Sequence, residues 1–126
     1  MKKQIVSLVM AGIFILFLQS FIPEPAFENG FPDEISTILK TSCYDCHTTG
    51  ARSADALKAI DFLIWDDYKV TKKISTLGDI CKMIEEGKMP PKKYLENKPE
   101  SQLSEAQKKI LCDWTKTEPD KLMQGN

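Results

Sequence analysis

The sequence predicts a small all-α domain preceded by an N-terminal helix that is either a signal peptide or a membrane anchor. Apolar residues recur at intervals of three and four in several segments, and helix-capping residues stand where these segments begin. No two runs alternate in the way that paired strands require. With 126 residues, 42% of them hydrophobic and 28% charged, the chain has room for one core.

The N-terminal segment predicts export from the cytoplasm. Lys2 and Lys3 precede an apolar run over residues 5–22, which is the pattern of a secretory signal. The run is also just long enough to span a bilayer. Residues 1–22 are therefore interpreted as a cleaved signal peptide or an uncleaved anchor. The protein is expected in the periplasm, either soluble or held by this helix.

Proline and glycine divide the remaining chain into a linker over residues 23–31, a domain over residues 32–117 and a polar tail over residues 118–126. The first helix is predicted to begin with Pro32 at its first position. Its expected buried face consists of Ile35, Ile38, Leu39 and Ser42.

A short helix is predicted from Ser53, its cap, to about Ile60. Residues 62–65 are apolar without a clear period, and a turn is favoured because no partner strand is predicted. The next helix carries an apolar stripe formed by Val70, Ile74, Leu77, Cys81 and Ile84. Gly87 is expected to close that helix.

The last helix is predicted to start at a capping box over residues 104–107. Its expected buried face consists of Ala106, Ile110 and Trp114. With this face buried, Cys112 lies on the opposite side of the helix, whereas Cys81 lies within the apolar stripe of the preceding long helix. Two such cysteines can pair in an exported protein, and the sequence leaves this pairing open.

Cys43, Cys46 and His47 form the sequence Cys-x-x-Cys-His, which attaches a covalent c-type haem. Two thiols three positions apart meet the two vinyl groups of one porphyrin, and the adjacent imidazole lies beneath the iron. A thioredoxin-like pair is the first alternative, but it needs a βαβ context. A zinc site that also uses Cys81 and Cys112 is the second, although zinc ligands usually come as two spaced pairs. A chance match in a disulfide-bonded domain is the third.

The second axial ligand of the iron is predicted to be Met89. His47 is the only histidine, which excludes a pair of histidine ligands within the chain. Met89 directly precedes Pro90 and Pro91, which hold an extended, non-helical loop that can aim a thioether at a metal. Met83 lies in a predicted helix, off its apolar stripe. Methionine and histidine ligation is typical of cytochromes c and raises the reduction potential.

The two motifs together resemble the small bacterial monohaem "haem-binding domain" family, a relative of class I cytochromes c. The resemblance is carried by residues 43–47, residues 86–91, Tyr94, residues 103–104 and Trp114. It implies a helical domain wrapped around one covalent haem c per chain. It also implies thioether bonds to Cys43 and Cys46, with His47 as the proximal and Met89 as the distal ligand.

Two further groups of residues can be interpreted either as part of the functional site or as ordinary structural residues. Trp65 and Tyr68 precede the long helix, where their polar atoms could meet a haem propionate or where the rings could pack in the core. A group of lysines near Met89 could steer an acidic redox partner or be an ordinary solvated face. These lysines are Lys82, Lys88, Lys92 and Lys93.

The sequence therefore predicts a monohaem c-type cytochrome that carries single electrons between redox proteins outside the cytoplasm and is not an enzyme on its own. A haem peroxidase or gas sensor with a displaceable distal ligand is the alternative, and a zinc or disulfide module is a weaker one. The absence of a second histidine disfavours peroxidase chemistry. The net charge of −1 gives no reason to expect nucleic acid.

Overall fold

Every regular element in the described part of the chain is a helix, as predicted. The computed structural model describes residues 30–125. Its elements are α1 (Asp33–Ser42), α2 (Ala54–Ala59), a first 3₁₀ helix (Phe62–Asp67), α3 (Val70–Glu85), α4 (Lys92–Leu95), a second 3₁₀ helix (Pro99–Ser101) and α5 (Glu105–Met123). The predicted signal or anchor segment lies outside the described residues. Among residues 30–125, no helix is both long and apolar enough to cross a membrane.

Helix α1 buries the predicted face, which consists of Ile35, Ile38, Leu39 and Ser42. Its start differs by one position, because Pro32 is the cap and its carbonyl accepts a bond of 2.8 Å from the Ser36 amide. Phe31, which the sequence assigned to the linker, is fully buried. The core therefore begins inside the segment predicted to be a linker.

Helix α2 begins at its predicted cap, where the Ser53 hydroxyl accepts a hydrogen bond of 3.2 Å from the Ala56 amide. The apolar segment that follows is the first 3₁₀ helix rather than an irregular turn. Asp61 caps it by accepting a bond of 3.0 Å from the Leu63 amide. Because Phe62 and Trp65 are buried, this segment closes one side of the core.

Helix α3 ends as predicted, since Gly87 adopts a φ of +64° just beyond its last residues. That left-handed conformation favours glycine because a Cβ is strained there. The buried face differs from the predicted stripe in the first half of the helix. Val70, which the stripe included, is 44% exposed, and Thr76, which it did not include, is buried. The first turn of α3 thus extends past the core.

Helices α3 and α5 form the most extensive helix pair of the domain. Leu77 and Ile84 of α3 and Leu111 of α5 are buried. Phe31 packs beside this pair, with ring centroids 5.7 Å from Trp114 and 5.3 Å from Trp65. These ring contacts pack the start of the domain against its last helix.

The buried face of α5 differs in part from the predicted one, since Trp114 is buried as predicted and Ile110 packs against the core but Ala106 does not. The capping box is confirmed, with Ser104 and Gln107 bonded to each other's backbone amides at 2.9 and 3.2 Å. Ala106 is nevertheless exposed, whereas Leu111 and Cys112 are buried. Leucine removes far more apolar area from water than alanine does, so the helix is rotated to bury Leu111.

This rotation brings Cys112 against α3, where it forms a disulfide with Cys81 at an S–S distance of 2.07 Å. The prediction that Cys112 faces away from the core was therefore wrong, and the pairing that the sequence left open is present. Helix α5 also continues through Pro119 to Met123, and Leu122 packs against the core. The segment predicted as a polar tail is thus helical over most of its length.

Replacing both Cys81 and Cys112 by serine is expected to lower the free energy of unfolding by about 3–4 kcal/mol, because the bond closes a long loop in the unfolded chain. The two residues are 31 positions apart. Denaturant unfolding of the variant and the wild type, each with and without reductant, measures the effect. An unfolding midpoint that changes neither on substitution nor on addition of reductant would contradict a stabilising role of the disulfide.

Candidate haem site

The Cys-x-x-Cys-His motif forms a tight turn directly after α1. Cys43 is the residue that ends this helix, and its carbonyl accepts bonds of 3.2 Å from the Cys46 amide and 3.0 Å from the His47 amide. Both cysteines of the motif carry free thiols. The four cysteines of the chain are therefore divided into one disulfide and one free pair three positions apart.

The ring of His47 is oriented by backbone carbonyls. Its Nδ1 lies 3.1 Å from the Ala56 oxygen and 3.3 Å from the Ile60 oxygen. Carbonyl oxygens only accept hydrogen bonds, so Nδ1 carries a proton, and in the neutral imidazole Nε2 then has a free lone pair. Metal-binding histidines are typically held in this way, with one ring nitrogen donating to a carbonyl and the other facing the metal.

Helix α2 and the first 3₁₀ helix provide this support. The Ser53 cap fixes the start of α2, whose carbonyls at Ala56 and after its end at Ile60 face the imidazole. On the other side, the Phe62 amide donates a bond of 2.9 Å to the His47 carbonyl. The short helices after the motif thus hold the histidine in one orientation.

Two adjoining cavities of about 270 and about 340 Å³ lie beside His47. Each approaches or lies within the range of ~300–1,000 Å³ that is usual for small-molecule and cofactor sites. The residues that line both cavities are Cys43, His47, Ala59, Ile84 and Met89. The predicted attachment, proximal and distal residues therefore border the same space, together with apolar side chains.

The loop that carries Met89 is anchored to the end of α3. The amides of Lys88 and Met89 donate bonds of 2.9 and 3.2 Å to the Met83 carbonyl. Met89 is 38% exposed, and Pro90 behind it is buried. Met83 also lines the larger cavity. Two thioethers thus border this cavity, of which only that of Met89 also lines the smaller one.

The environment of Cys43 favours a neutral thiol. Burial and, to a smaller extent, the neighbouring Cys46 together raise the pKa of this thiol to about 12. Metal ions bind the thiolate form of cysteine, so this environment does not prepare Cys43 as a zinc ligand. Cys81 and Cys112, which the zinc interpretation needed as further ligands, are bonded to each other and therefore offer no thiolate to a metal.

The grouping of side chains that could bind a metal agrees with this division of the cysteines. Within residues 30–125, the one group of three cysteine, histidine or acidic side chains close enough to share an ion is Cys81, Glu85 and Cys112. Its two sulfurs are bonded to each other, so the group offers no thiolate. No such group includes His47 in this part of the chain.

Trp65 and Tyr68 do not line either cavity. Trp65 is buried against Phe31, and the Tyr68 hydroxyl accepts a bond of 2.9 Å from the Asp61 amide. The structure thus gives both rings a packing role. Contact with a haem propionate stays a prediction for each of them.

The lysines near Met89 are all exposed, as either interpretation of them requires. Lys88 pairs with Glu86 at 2.6 Å, which reduces the positive charge available to a partner. The hydrogen bond from Lys88 is the main reason why the pKa of the Glu86 carboxyl is lowered. A docking role for this group of lysines stays a prediction.

Asp45 connects the motif with the segment after Met89. Its Oδ2 accepts bonds of 2.8 Å from the Tyr94 hydroxyl and 3.1 Å from the Lys98 ammonium. The Tyr94 bond and then the Lys98 bond lower the pKa of the Asp45 carboxyl. Neither Asp45 nor Lys98 is assigned a role by the sequence analysis, because residues this far apart follow no local pattern.

An all-helical domain in which a Cys-x-x-Cys-His motif and an oriented imidazole border a largely apolar cavity has the features of a haem protein. The haem-binding domain family matches residues 53–117, which is more than half of the chain, and the protein belongs to that family. The matched segment follows the motif and contains the Met89 loop. No curated protein and no solved structure matches the chain.

Proposed function

We propose that this haem protein is a monohaem c-type cytochrome, related to class I cytochromes c, that carries single electrons outside the cytoplasm. In this proposal Cys43 and Cys46 hold the haem through thioether bonds, His47 is the proximal ligand and Met89 is the distal one. A haem held by these residues would supply one-electron chemistry, in which its iron would alternate between ferric and ferrous as an electron passes from a donor protein to an acceptor protein.

The bond from His47 Nδ1 to the Ala56 carbonyl is the observation that best supports this proposal. It leaves Nε2 as the nitrogen available to iron, and it fixes the plane of the ring. The free pair of thiols, three positions apart and next to this imidazole, supplies the attachment chemistry.

Carrier activity follows from having protein ligands on both sides of the iron. Met89 borders the same cavities as His47, so its thioether is available for the sixth coordination position. An iron with two protein ligands exchanges electrons without binding a substrate. We propose no catalytic activity for the protein alone. Its partners would be redox proteins, and the exported location proposed from residues 1–22 places them in the periplasm.

The exposure of Met89 is the one observation that favours the alternative of a peroxidase or gas sensor. A thioether that is 38% exposed is easier to displace than a buried one. Under that alternative a small ligand such as carbon monoxide binds readily to the reduced iron, and peroxide is turned over.

Optical spectra of protein made with a cytochrome c maturation system test the proposal. The expected result is a haemochrome spectrum that survives acidified organic extraction, a weak long-wavelength sulfur-to-iron band in the oxidised form, and slow carbon monoxide binding in the reduced form. Absence of haem would contradict the whole proposal. Covalent haem with rapid carbon monoxide binding and peroxide turnover would replace the carrier with the enzyme or sensor.

A further inference from the structure

Asp45 lies between the two cysteines of the haem motif, yet its side chain bonds to residues that follow the Met89 loop. Its Oδ2 accepts bonds from the Tyr94 hydroxyl at 2.8 Å and from the Lys98 ammonium at 3.1 Å. These partners are 49 and 53 positions further along the chain. One carboxylate therefore connects the segment before the cavity with the segment after it.

Tyr94 is well placed to transmit this connection to Met89. It lies in α4, whose cap is Pro91, and the Tyr94 amide donates a bond of 3.0 Å to the Pro91 carbonyl. Only two rigid proline residues separate this helix from Met89. A fixed position for the Tyr94 ring thus restricts where the Met89 side chain can lie.

The Tyr94 hydroxyl is held from a second side by the core. It lies 3.3 Å from the hydroxyl of Ser101, which is buried at 3% exposure. Asp45, His47, Met89 and Tyr94 all line the smaller cavity. The bond between Asp45 and Tyr94 therefore lies at the border of that cavity, where it connects the proximal motif with the segment that follows the methionine loop.

We propose that Asp45, Tyr94 and Lys98 form a clamp that positions Met89 for the iron and sets how often this ligand is released. The inference rests on the proposed function, because it takes Met89 as the distal ligand. Asp45 is a positioning residue in this scheme and does not touch the iron. A single exposed ion pair contributes little to stability, but here one carboxylate accepts two charge-assisted bonds that connect two segments of the site.

The test compares the haem-loaded variants Asp45→Ala and Tyr94→Phe with two matched controls. Asp113→Ala removes another exposed carboxylate that is bonded to a lysine, Lys109, but does not line either cavity beside His47. Thr117→Val removes a hydroxyl that is bonded to the Asp113 and Trp114 carbonyls within α5, also away from these cavities. Carbon monoxide binding to the reduced form and the sulfur-to-iron band of the oxidised form are measured for each.

Both clamp variants are expected to bind carbon monoxide on the order of threefold to tenfold faster than the wild type, because net hydrogen bonds of this kind shift an equilibrium by that factor. Their sulfur-to-iron band should be lost at a lower temperature than in the wild type. In the variant that carries both substitutions, the change in the free energy of ligand release should be smaller than the sum of the two single changes, because the two residues share one bond. The two controls should behave as the wild type. Should Asp45→Ala disturb haem attachment, Tyr94→Phe, which removes one oxygen outside the motif, carries the test.

Two outcomes separate a failure of the clamp from a failure of the proposed function. A wild type with the sulfur-to-iron band, together with clamp variants that match the controls, overturns the clamp alone. A wild type that lacks the band and binds carbon monoxide rapidly overturns Met89 ligation, and the clamp falls with it.

Discussion

Replacement of Cys43 and Cys46 by alanine together is expected to abolish covalent haem. The two thiols are the free ones in the structure, and they lie three positions apart in the turn that precedes His47. Without them no thioether bond forms, so any haem that remains is held by its axial ligands alone. Acidified organic solvent should then extract all of it, whereas haem stays with the wild-type chain.

The matched control for this experiment is the replacement of the other two cysteines, Cys81 and Cys112, by serine. These sulfurs are bonded to each other, so the control should keep covalent haem even though its free energy of unfolding falls. Covalent haem in the Cys43 and Cys46 variant would contradict the assignment. Loss of covalent haem in a soluble Cys81 and Cys112 variant would show that the division of the cysteines is wrong.

Replacement of Met89 by alanine is expected to lower the reduction potential and to open the sixth coordination position. A thioether stabilises ferrous over ferric iron, so its loss favours the oxidised form. The expected fall is on the order of 100 mV, a part of the roughly 0.8 V over which axial ligands set haem potentials. A redox titration measures the potential, and the rate of carbon monoxide binding measures access to the iron.

Met83→Ala is the control, because this second thioether also lines the larger cavity but is held within α3. It should leave the sulfur-to-iron band and the potential close to those of the wild type. If Met89→Ala changes neither property while Met83→Ala changes both, Met83 is the distal ligand. The structure makes this comparison sharp, since both side chains border one cavity with His47.

The sequence predicts the helices well because their signals are local. The Ser53 cap, the capping box at Ser104 and the glycine that ends α3 each depend on residues within one turn of one another. The buried face of α1 is likewise confirmed. Each of these features depends on bonds or spacings between residues that are close in the sequence.

The sequence predicts less well wherever packing between distant segments decides the outcome. The orientation of α5 depends on how Leu111 and Trp114 pack into the core, and an error in that orientation also put Cys112 on the wrong side. The partners of the His47 ring are backbone carbonyls, which every residue has, so no residue type marks them. The bond from Tyr94 to Asp45 joins positions 49 apart with no periodicity between them.

The Cys81–Cys112 bond turns part of the chain into a closed covalent ring. Met89 and Tyr94 lie on this ring, while Cys43 and His47 lie on the open chain before it. A protease that cuts once between residues 82 and 111 therefore leaves both fragments joined, with the methionine still attached to the rest of the domain. Only reduction of the bond lets the nicked pieces separate, so the methionine side of the site withstands a single break in its backbone.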